Sequence, residues 1–255
     1  VFKSFLKRQL TARDLWFQRK TGVLINHPGN ELTFDLGFAV AHLLQRRDPL
    51  TFVQVGAYDG MTNDVLADFI RRGKLRGLLV EPQPEVFARL VENNRGNPGL
   101  AFENTAVGAA SGAATFYRVK AEYEHLVDRS RQMSGFSPDV ILKHYRHAVP
   151  DPQVVLETIS VPSMPLESLL AKHGLDTPDV LQIDTEGHDY AILRELDFAK
   201  LRPAIICYET AHLSREDKVK SYELLIRNDY LLYEAGLDCL AYDRAVRESA
   251  PGFWH

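Results

Sequence analysis

Two clusters of side chains in this chain have types and spacings suited to chemistry. Asp184-Thr185-Glu186-Gly187-His188-Asp189 sets three acids and a histidine directly behind the apolar run Val180-Leu181-Gln182-Ile183. Buried charge costs free energy unless it is paired, so such a cluster makes poor packing material and good site material. An alcohol is a weak nucleophile near neutral pH, and a carboxylate within reach removes its proton as a bond forms to its oxygen. Asp184 leads for that work or for positioning the acceptor, with Glu186 and His188 behind it. The plainer alternative has Glu186 capping the next helix and His188 in its first turn. Glu209-Thr210-Ala211-His212 follows a second apolar run, so Glu209 and His212 are expected to face the same crevice, binding the acceptor or taking its proton. With Asp184 and Glu186 they also offer oxygen and imidazole donors to Mg²⁺ or Mn²⁺. Their spacing matches no metal motif, so the expectation is that no metal is held.

The second feature is Val53-Gln54-Val55-Gly56-Ala57-Tyr58-Asp59-Gly60, a buried strand running into a glycine-bearing turn. Gly56 and Gly60 let the backbone approach a ligand closely. Glu81 ends the next apolar run, 25 residues after Gly56, where a carboxylate can accept hydrogen bonds from both hydroxyls of a ribose. NAD and S-adenosylmethionine both fit this outline. A diphosphate wants G-x-G-x-x-G and a helix N-terminus; the turn here is Gly-Ala-Tyr-Asp-Gly, and Asp59 repels a diphosphate while tolerating a sulfonium and an ammonium. S-adenosylmethionine is therefore the expected cofactor.

These residues need strand ends to carry them. Thr51–Val55, Gly77–Glu81, Leu100–Val107, Val180–Asp184 and Ala204–Glu209 read as strands without alternation, as parallel strands covered on both faces do. Helices are expected at about 62–72, from Pro84 to about Asn94, and at Tyr190–Leu196. Strand–helix alternation implies an α/β, doubly wound, mostly parallel sheet of seven strands. Tyr230–Glu234 and Leu240–Asp243, turning near Gly236, form a terminal antiparallel hairpin. Residues 1–48 read as an N-terminal helical extension, with an amphipathic helix at Asp35–Arg47, and 49–255 as the main domain. Within that domain, residues 121–153 form a polar, lid-like insertion. It has a helix at Pro138–His147 bearing Lys143, His144 and His147, and a tip of Arg129, Arg131 and Met133–Phe136 whose Phe136 could stack on a sugar.

The ordered set of motifs resembles the FkbM family of methyltransferases. Carrying it are Phe52–Gly60 with Thr62-Asn63-Asp64, Glu81-Pro82-Gln83-Pro84 with Phe87, Leu90 and Asn93, Asn104–Gly108, Leu181–Asp189 and Pro203–Glu209. The resemblance spans about residues 50–245 and implies a class I, Rossmann-like methyltransferase fold, with S-adenosylmethionine as donor and a sugar or polyketide-type hydroxyl as acceptor. It further implies that Gly56, Ala57 and Gly60 line the methionine and ribose, that Glu81 holds the ribose, and that Pro82 and Gln83 shape the adenine pocket. Asn104 and Ala106 would approach the adenine edge. Asp59 and Asp64 would lie near the amino group, Asn63 belongs to the matched run, and Asp184 counts with the cofactor set as well. Tyr58 departs from the pattern, where a small polar residue is commoner; it could cover the amino-acid end of the cofactor or fill space beside it. A nicotinamide oxidoreductase and a non-catalytic cofactor-binding module are the alternatives.

Composition sets the outer bounds. The 255 residues are 45% hydrophobic and 25% charged, with a formal net charge of −4. These are globular proportions, and the mild acidity speaks against a nucleic-acid partner. No run reaches the ~18 apolar residues of a membrane span, and the N-terminus carries no secretory pattern. Two distant cysteines, Cys207 and Cys239, suggest neither disulfide nor zinc site and a reducing, cytoplasmic setting; Cys207 reads as an inert core thiol. His27, His42, His125 and His173 read as surface or structural. Val1 in place of Met suggests a chain trimmed from a longer one.

Overall fold

The structure is a computed structural model that describes residues 23–25 and 35–248. The chain runs β1 (Val23–Ile25), α1 (Leu36–Leu44), β2 (Leu50–Val55), α2 (Ala67–Arg71), β3 (Leu75–Val80), α3 (Pro84–Asn93), β4 (Leu100–Glu103) and β5 (Ala106–Val107). It continues through β6 (Gly112–Val119), β7 (Ser134–Gly135), α4 (Asp139–Tyr145), β8 (Leu156–Met164), α5 (Leu166–Lys172) and β9 (Val180–Ile183). Last come α6 (Asp189–Leu193), β10 (Ile205–Glu209), α7 (Arg215–Arg227), β11 (Tyr230–Ala235), β12 (Asp238–Asp243) and α8 (Arg244–Glu248).

The main sheet has the order β4-β3-β2-β9-β10-β12-β11-β1. The seven expected strands are present with β12 alone antiparallel to its neighbours, and β1 adds an eighth, parallel to β11 at the edge. Side-chain alternation splits each strand between two cores. Leu50, Phe52, Leu75 and Leu79 pack with Leu36, Ala39, Val40 and Leu43 of α1 and with Ile70 and Leu90 on one face. Val53, Val55, Leu78 and Val80 pack with Leu169, Ile192 and Leu225 of α5, α6 and α7 on the other. That two-sided cover is why the strands read as unbroken apolar runs.

The register builds the site. Val55 pairs with Val80 on one side and with Ile183 on the other, and Ile183 pairs with Tyr208. The next residues along, Gly56, Glu81, Asp184 and Glu209, therefore stand side by side at the carboxyl edge. The chain leaves β2 toward β3 in one direction and reaches β10 from β9 in the other, which opens a crevice at the β2/β9 boundary.

Three local expectations are corrected. The helix expected at about 62–72 is confined to Ala67–Arg71, because Asp59 accepts from the Met61 and Thr62 amides (3.0 and 2.7 Å) and holds the preceding stretch in turns. The strand expected at Leu100–Val107 breaks after Glu103. There Asn104 Nδ2 turns back to donate to the Glu81 and Pro82 carbonyls (2.8 and 3.1 Å), and β5 joins a second sheet. In the extension read as helical, the expected helix is α1, but Val23–Ile25 is a strand; residues 1–22, and His27, lie outside the described residues.

The second sheet, β5-β8-β6-β7, was not anticipated. Its long hairpin β6/β8 carries residues 120–155 as its connection. This connection has its own small core of Val119, Met133, Ile141, Tyr145 and Val155. Arg118 of β6 anchors the sheet to α3 by pairing with Glu85 (2.7 Å) and to β8 through Glu157 (2.8 Å). Gln83 Nε2 donates to Ser134 Oγ (3.1 Å), so the insertion is fastened to the loop that follows Glu81.

Candidate active site

The aligned strand ends open into a cavity of ≈ 620 Å³ roofed by the insertion, within the usual size for a small-molecule site. Of the residues singled out in the sequence, Gly56, Ala57, Tyr58, Asn63, Glu81, Pro82, Gln83, Ala106, Asp184, Glu186, Glu209 and His212 line it. Asp59, Gly60, Asn104 and His188 do not. Asp59 organises the turn as described. Gly60 packs under Leu90 and Asn94, and Asn104 supports the Glu81–Pro82 backbone. His188 occupies the N-cap position of α6 without a side-chain cap bond and lies against Phe136, ring centroids 4.4 Å apart.

On the β2/β3 side, Gly56 has φ +82 and sits so close to β9 that a Cβ would fall 1.8 Å from the Asp184 carbonyl oxygen. Glu81 is buried; Oε2 accepts from the Tyr58 amide (3.1 Å) and Oε1 from the Gln83 amide (2.9 Å). A carboxylate has about four acceptor positions, so each oxygen keeps one for a ligand in the cavity. Burial pushes the Glu81 carboxyl up to about 7, against the pull of those two amides. Tyr58 is itself held at φ +48, its ring under the Arg89 guanidinium at 5.6 Å.

On the β9/β10 side the acids converge. Asp189, fully buried, accepts from Thr185 Oγ1 (3.0 Å), the Gly187 amide (3.3 Å) and the Glu209 amide (3.2 Å), so one side chain fixes both loops. The loop places Glu186 at φ +53, a conformation that costs free energy and clusters at functional sites. Glu186 therefore does not cap α6. Its Oε2 lies 3.2 Å from His212 Nε2, and Glu209 Oε1 lies 3.6 Å from the same nitrogen. Burial first, then the neighbouring acids Asp184 and Asp189, raises Glu186 to about 8. Burial, then Asp184 and Glu186, raises Glu209 to about 10. Asp184 has its surface open to the cavity but protein packed all round it, and burial with Asp238 and Asp64 nearby lifts it to about 6. His212 is pushed down by burial and by His144 and Lys143.

The roof comes from the insertion. Asp128, Arg129, Gln132, Met133, Ser134, Phe136, Lys143 and His144 line the cavity, whereas Arg131 pairs with Glu124 (2.6 Å) and His147 does not reach it. Phe136 packs between Phe116 (5.6 Å, edge-on) and His188, which ties the roof to β6 and the start of α6. The His144 ring stands 5.7 Å from that of His212. His42 bonds to Tyr242 OH (3.0 Å) and His173 to Glu103 (2.7 Å), both structural.

Reading the sequence missed Gln54 and Gln182. They are register partners on β2 and β9, both line the cavity, and the Oε1 of each is buried without a hydrogen bond. The signal was available: each is a single amide inside an otherwise apolar strand. Asp238, which pairs with Glu209 across β10/β12, was missed because the hairpin was read only as the end of the sheet.

Strand order with one antiparallel member, a crevice at the β2/β9 switch and a glycine with three acids at the strand ends define a class I methyltransferase fold. The family model described as the methyltransferase FkbM domain matches residues 54–234, and the chain belongs to that family. Among solved structures it is similar to an FkbM methyltransferase from Methylobacillus flagellatus, at 15% identity and a TM-score of 0.46, over 76% of this chain and 44% of that one. It thus spans less than half of that protein's length. It is also similar to precorrin-6y C5,15-methyltransferase from Geobacter metallireducens (11% identity, TM-score 0.40, 85% and 93% covered). A third is Aeropyrum pernix fibrillarin, a complex with natively bound S-adenosyl-L-methionine (14%, TM-score 0.39, 80% and 72%). No curated protein matches the sequence. No helix among the described residues is long and apolar enough to cross a membrane.

Proposed function

We propose that this methyltransferase uses S-adenosylmethionine to methylate a hydroxyl of a sugar or glycoconjugate, with a secondary-metabolite alcohol as the next acceptor class. The observation that carries this reading is the placement of Glu81 and Asp184 one residue beyond paired strands, facing one cavity. The residues suit the cofactor. Glu81 has acceptor positions left for the ribose hydroxyls, Gly56 leaves room that a side chain would close, and Pro82, Gln83 and Ala106 border the space beyond. Asp64 and the orphaned amide oxygens of Gln54 and Gln182 favour an ammonium group. When bound, the cofactor supplies a sulfonium methyl, transferred to the acceptor oxygen with the S–C electron pair left on sulfur. Asp184, which lines the same cavity, would orient the hydroxyl and take its proton, and holding the acceptor in line would supply much of the rate. The roof of Phe136, Lys143 and His144 restricts water and bounds the acceptor. A cytoplasmic setting fits Cys207 and Cys239, both buried free thiols.

The nicotinamide alternative is disfavoured because the first turn of α2, where a diphosphate would dock, does not line the cavity. S-adenosylhomocysteine is expected to raise the melting temperature and NAD is not; the reverse result overturns the reading. Candidate glycans incubated with isotopically labelled cofactor are expected to carry label in an alkali-stable ether, and label on a carboxylate or amine refutes O-methylation. A non-catalytic module would bind S-adenosylhomocysteine but transfer no label to any acceptor.

Glu81 provides a sharper test. Hydrogen bonds to a charged group contribute about 1.5–3 kcal/mol each, so Glu81→Gln is expected to weaken S-adenosylhomocysteine binding by at least about 30-fold in calorimetry. The ligand-free carboxyl titrates at about 7 and must be ionised to accept from both hydroxyls. Binding therefore lowers its pKa and expels a proton. Below pH 7 affinity is expected to fall by up to about tenfold per pH unit, with proton release approaching one at pH 6 and vanishing above pH 8. Calorimetry in buffers of different ionisation enthalpy measures this, and Glu81→Gln is expected to abolish that component.

A further inference from the structure

We infer that Glu186, Glu209 and His212 form a divalent-cation site at the floor of the cavity, suited to Mg²⁺ or Mn²⁺, through which the acceptor presents a pair of neighbouring hydroxyls. One donor atom from each lies within 4.8 Å of the others. The donors come from the β9–α6 loop, the end of β10 and the turn after it, and Asp189 locks the first two together through the amides of Gly187 and Glu209. Their side chains are 18, 11 and 14% exposed.

A second observation, independent of the clustering, points to a ligand. Glu209 Oε2 is buried and makes no hydrogen bond, and Glu186 Oε2, although 3.2 Å from His212 Nε2, is not hydrogen-bonded to it either. Folded proteins pair their buried polar atoms almost without exception, and each orphan costs about 1–3 kcal/mol. Two carboxylate oxygens left without a donor, on side chains that converge on His212 Nε2, are accounted for by a bound partner that accepts electron pairs. Glu186 and Glu209 have no ion-pair partner except His212 among the described residues. Two carboxylates balance a divalent ion, an imidazole supplies a third donor, and hard oxygen-rich sets with nitrogen suit Mn²⁺ and Mg²⁺. Three protein ligands leave positions of an octahedron for water or substrate oxygen. Asp184 lines the same cavity outside the trio, where it remains available for the proton. A cation there lowers the pKa of a coordinated hydroxyl and selects a vicinal diol over a lone alcohol. The identity of that second ligand rests on the methyl-transfer reading; binding of the ion does not.

The test is titration of the purified chain with Mn²⁺, followed by electron paramagnetic resonance with and without saturating S-adenosylhomocysteine. One Mn²⁺ per chain, displaced by Mg²⁺, is expected. Glu209→Gln and His212→Gln, verified as folded by near-ultraviolet circular dichroism, are expected to lose at least tenfold in affinity, and Asp176→Asn on the surface away from the cavity to bind as the wild type does. A measurement on the unaltered chain covers the case in which the variants do not fold. Mn²⁺ is expected to broaden the ring resonances of His212 and His144 before those of His42 and His173, which lie outside the cavity. No bound Mn²⁺, His212 resonances that stay sharp, or variants that bind normally each overturn the proposal. Mn²⁺ at His212 in a chain that ignores S-adenosylhomocysteine would leave the cation site standing and remove the methyl-transfer reading; the converse result would do the opposite.

Discussion

Gly56→Ala is expected to cost at least about 3 kcal/mol of stability and to abolish S-adenosylhomocysteine binding. Two terms add. A side chain at φ +82 brings the left-handed penalty of about 1–2 kcal/mol. The new Cβ would also lie 1.8 Å from the Asp184 carbonyl oxygen and 2.9 Å from its carbon, both backbone atoms with no flexible end to swing aside. Relief requires β2 and β9 to part at the point where the Asp184 amide donates to Val55 (2.9 Å), a bond contributing about 1 kcal/mol. The same movement displaces Gly56 and Ala57 from the Val80 carbonyl that holds both amides (3.0 and 2.9 Å), so Tyr58 and Glu81 lose their alignment. Gly96→Ala is the matched control: φ is +81 there and nothing lies within 4 Å of the new carbon. Urea unfolding of the two variants separates conformational strain from overlap, because the control is expected to lose only the first term. Equal shifts in midpoint would mean that the close approach of the strands contributes nothing.

How far the sequence disclosed this arrangement depended on burial. Strands covered on both faces, such as Leu78-Leu79-Val80 and Ile205-Ile206-Cys207, are apolar without interruption, and their ends mark the crevice. Glu81, Asp184 and Glu209 were legible for that reason: each is the first charge after such a run. β6 and β8 were not. Along Gly112-Ala113-Ala114-Thr115-Phe116 only Phe116 is buried, so no apolar run announces the strand. Side-chain direction was equally hidden. Asp59 reads as a ligand group from its place in the glycine turn, but its oxygens are consumed by Met61 and Thr62. His188 reads as part of the acid cluster, yet the left-handed step at Glu186 sends it toward Phe136. Both outcomes depend on how the backbone turns locally, which residue type does not specify. Glu186, Glu209 and His212 were legible as a group because they follow two neighbouring apolar runs; what the structure adds is Asp189, which accepts from the Gly187 and Glu209 amides and holds the two loops so that the three donors lie within 4.8 Å.

Asp184→Asn is expected to slow methyl transfer by about 10²–10⁴-fold, the usual contribution of a positioned general base, while leaving S-adenosylhomocysteine affinity within about threefold. The substitution keeps size and shape, and the main-chain bond from Asp184 to Val55 is untouched, so the loss reports on the carboxylate alone. Among the described residues no donor is paired with that carboxylate, whose surface opens to the cavity. Two roles compete for it. If Asp184 receives the acceptor's proton, kcat falls and cofactor binding does not. If it instead holds the cofactor's ammonium, affinity falls and turnover at saturating cofactor is preserved. Asp64 serves as the comparison, since it lines the same cavity nearer β2 and its Oδ1 is taken by the Leu66 amide (2.8 Å). Asp64→Asn is expected to weaken cofactor binding more than it slows transfer. Single-turnover rates and calorimetric affinities for the pair of variants, measured on the acceptor found by isotope labelling, place each acid on one side of the reacting methyl. A reversed pattern would move the proton acceptor away from the end of β9.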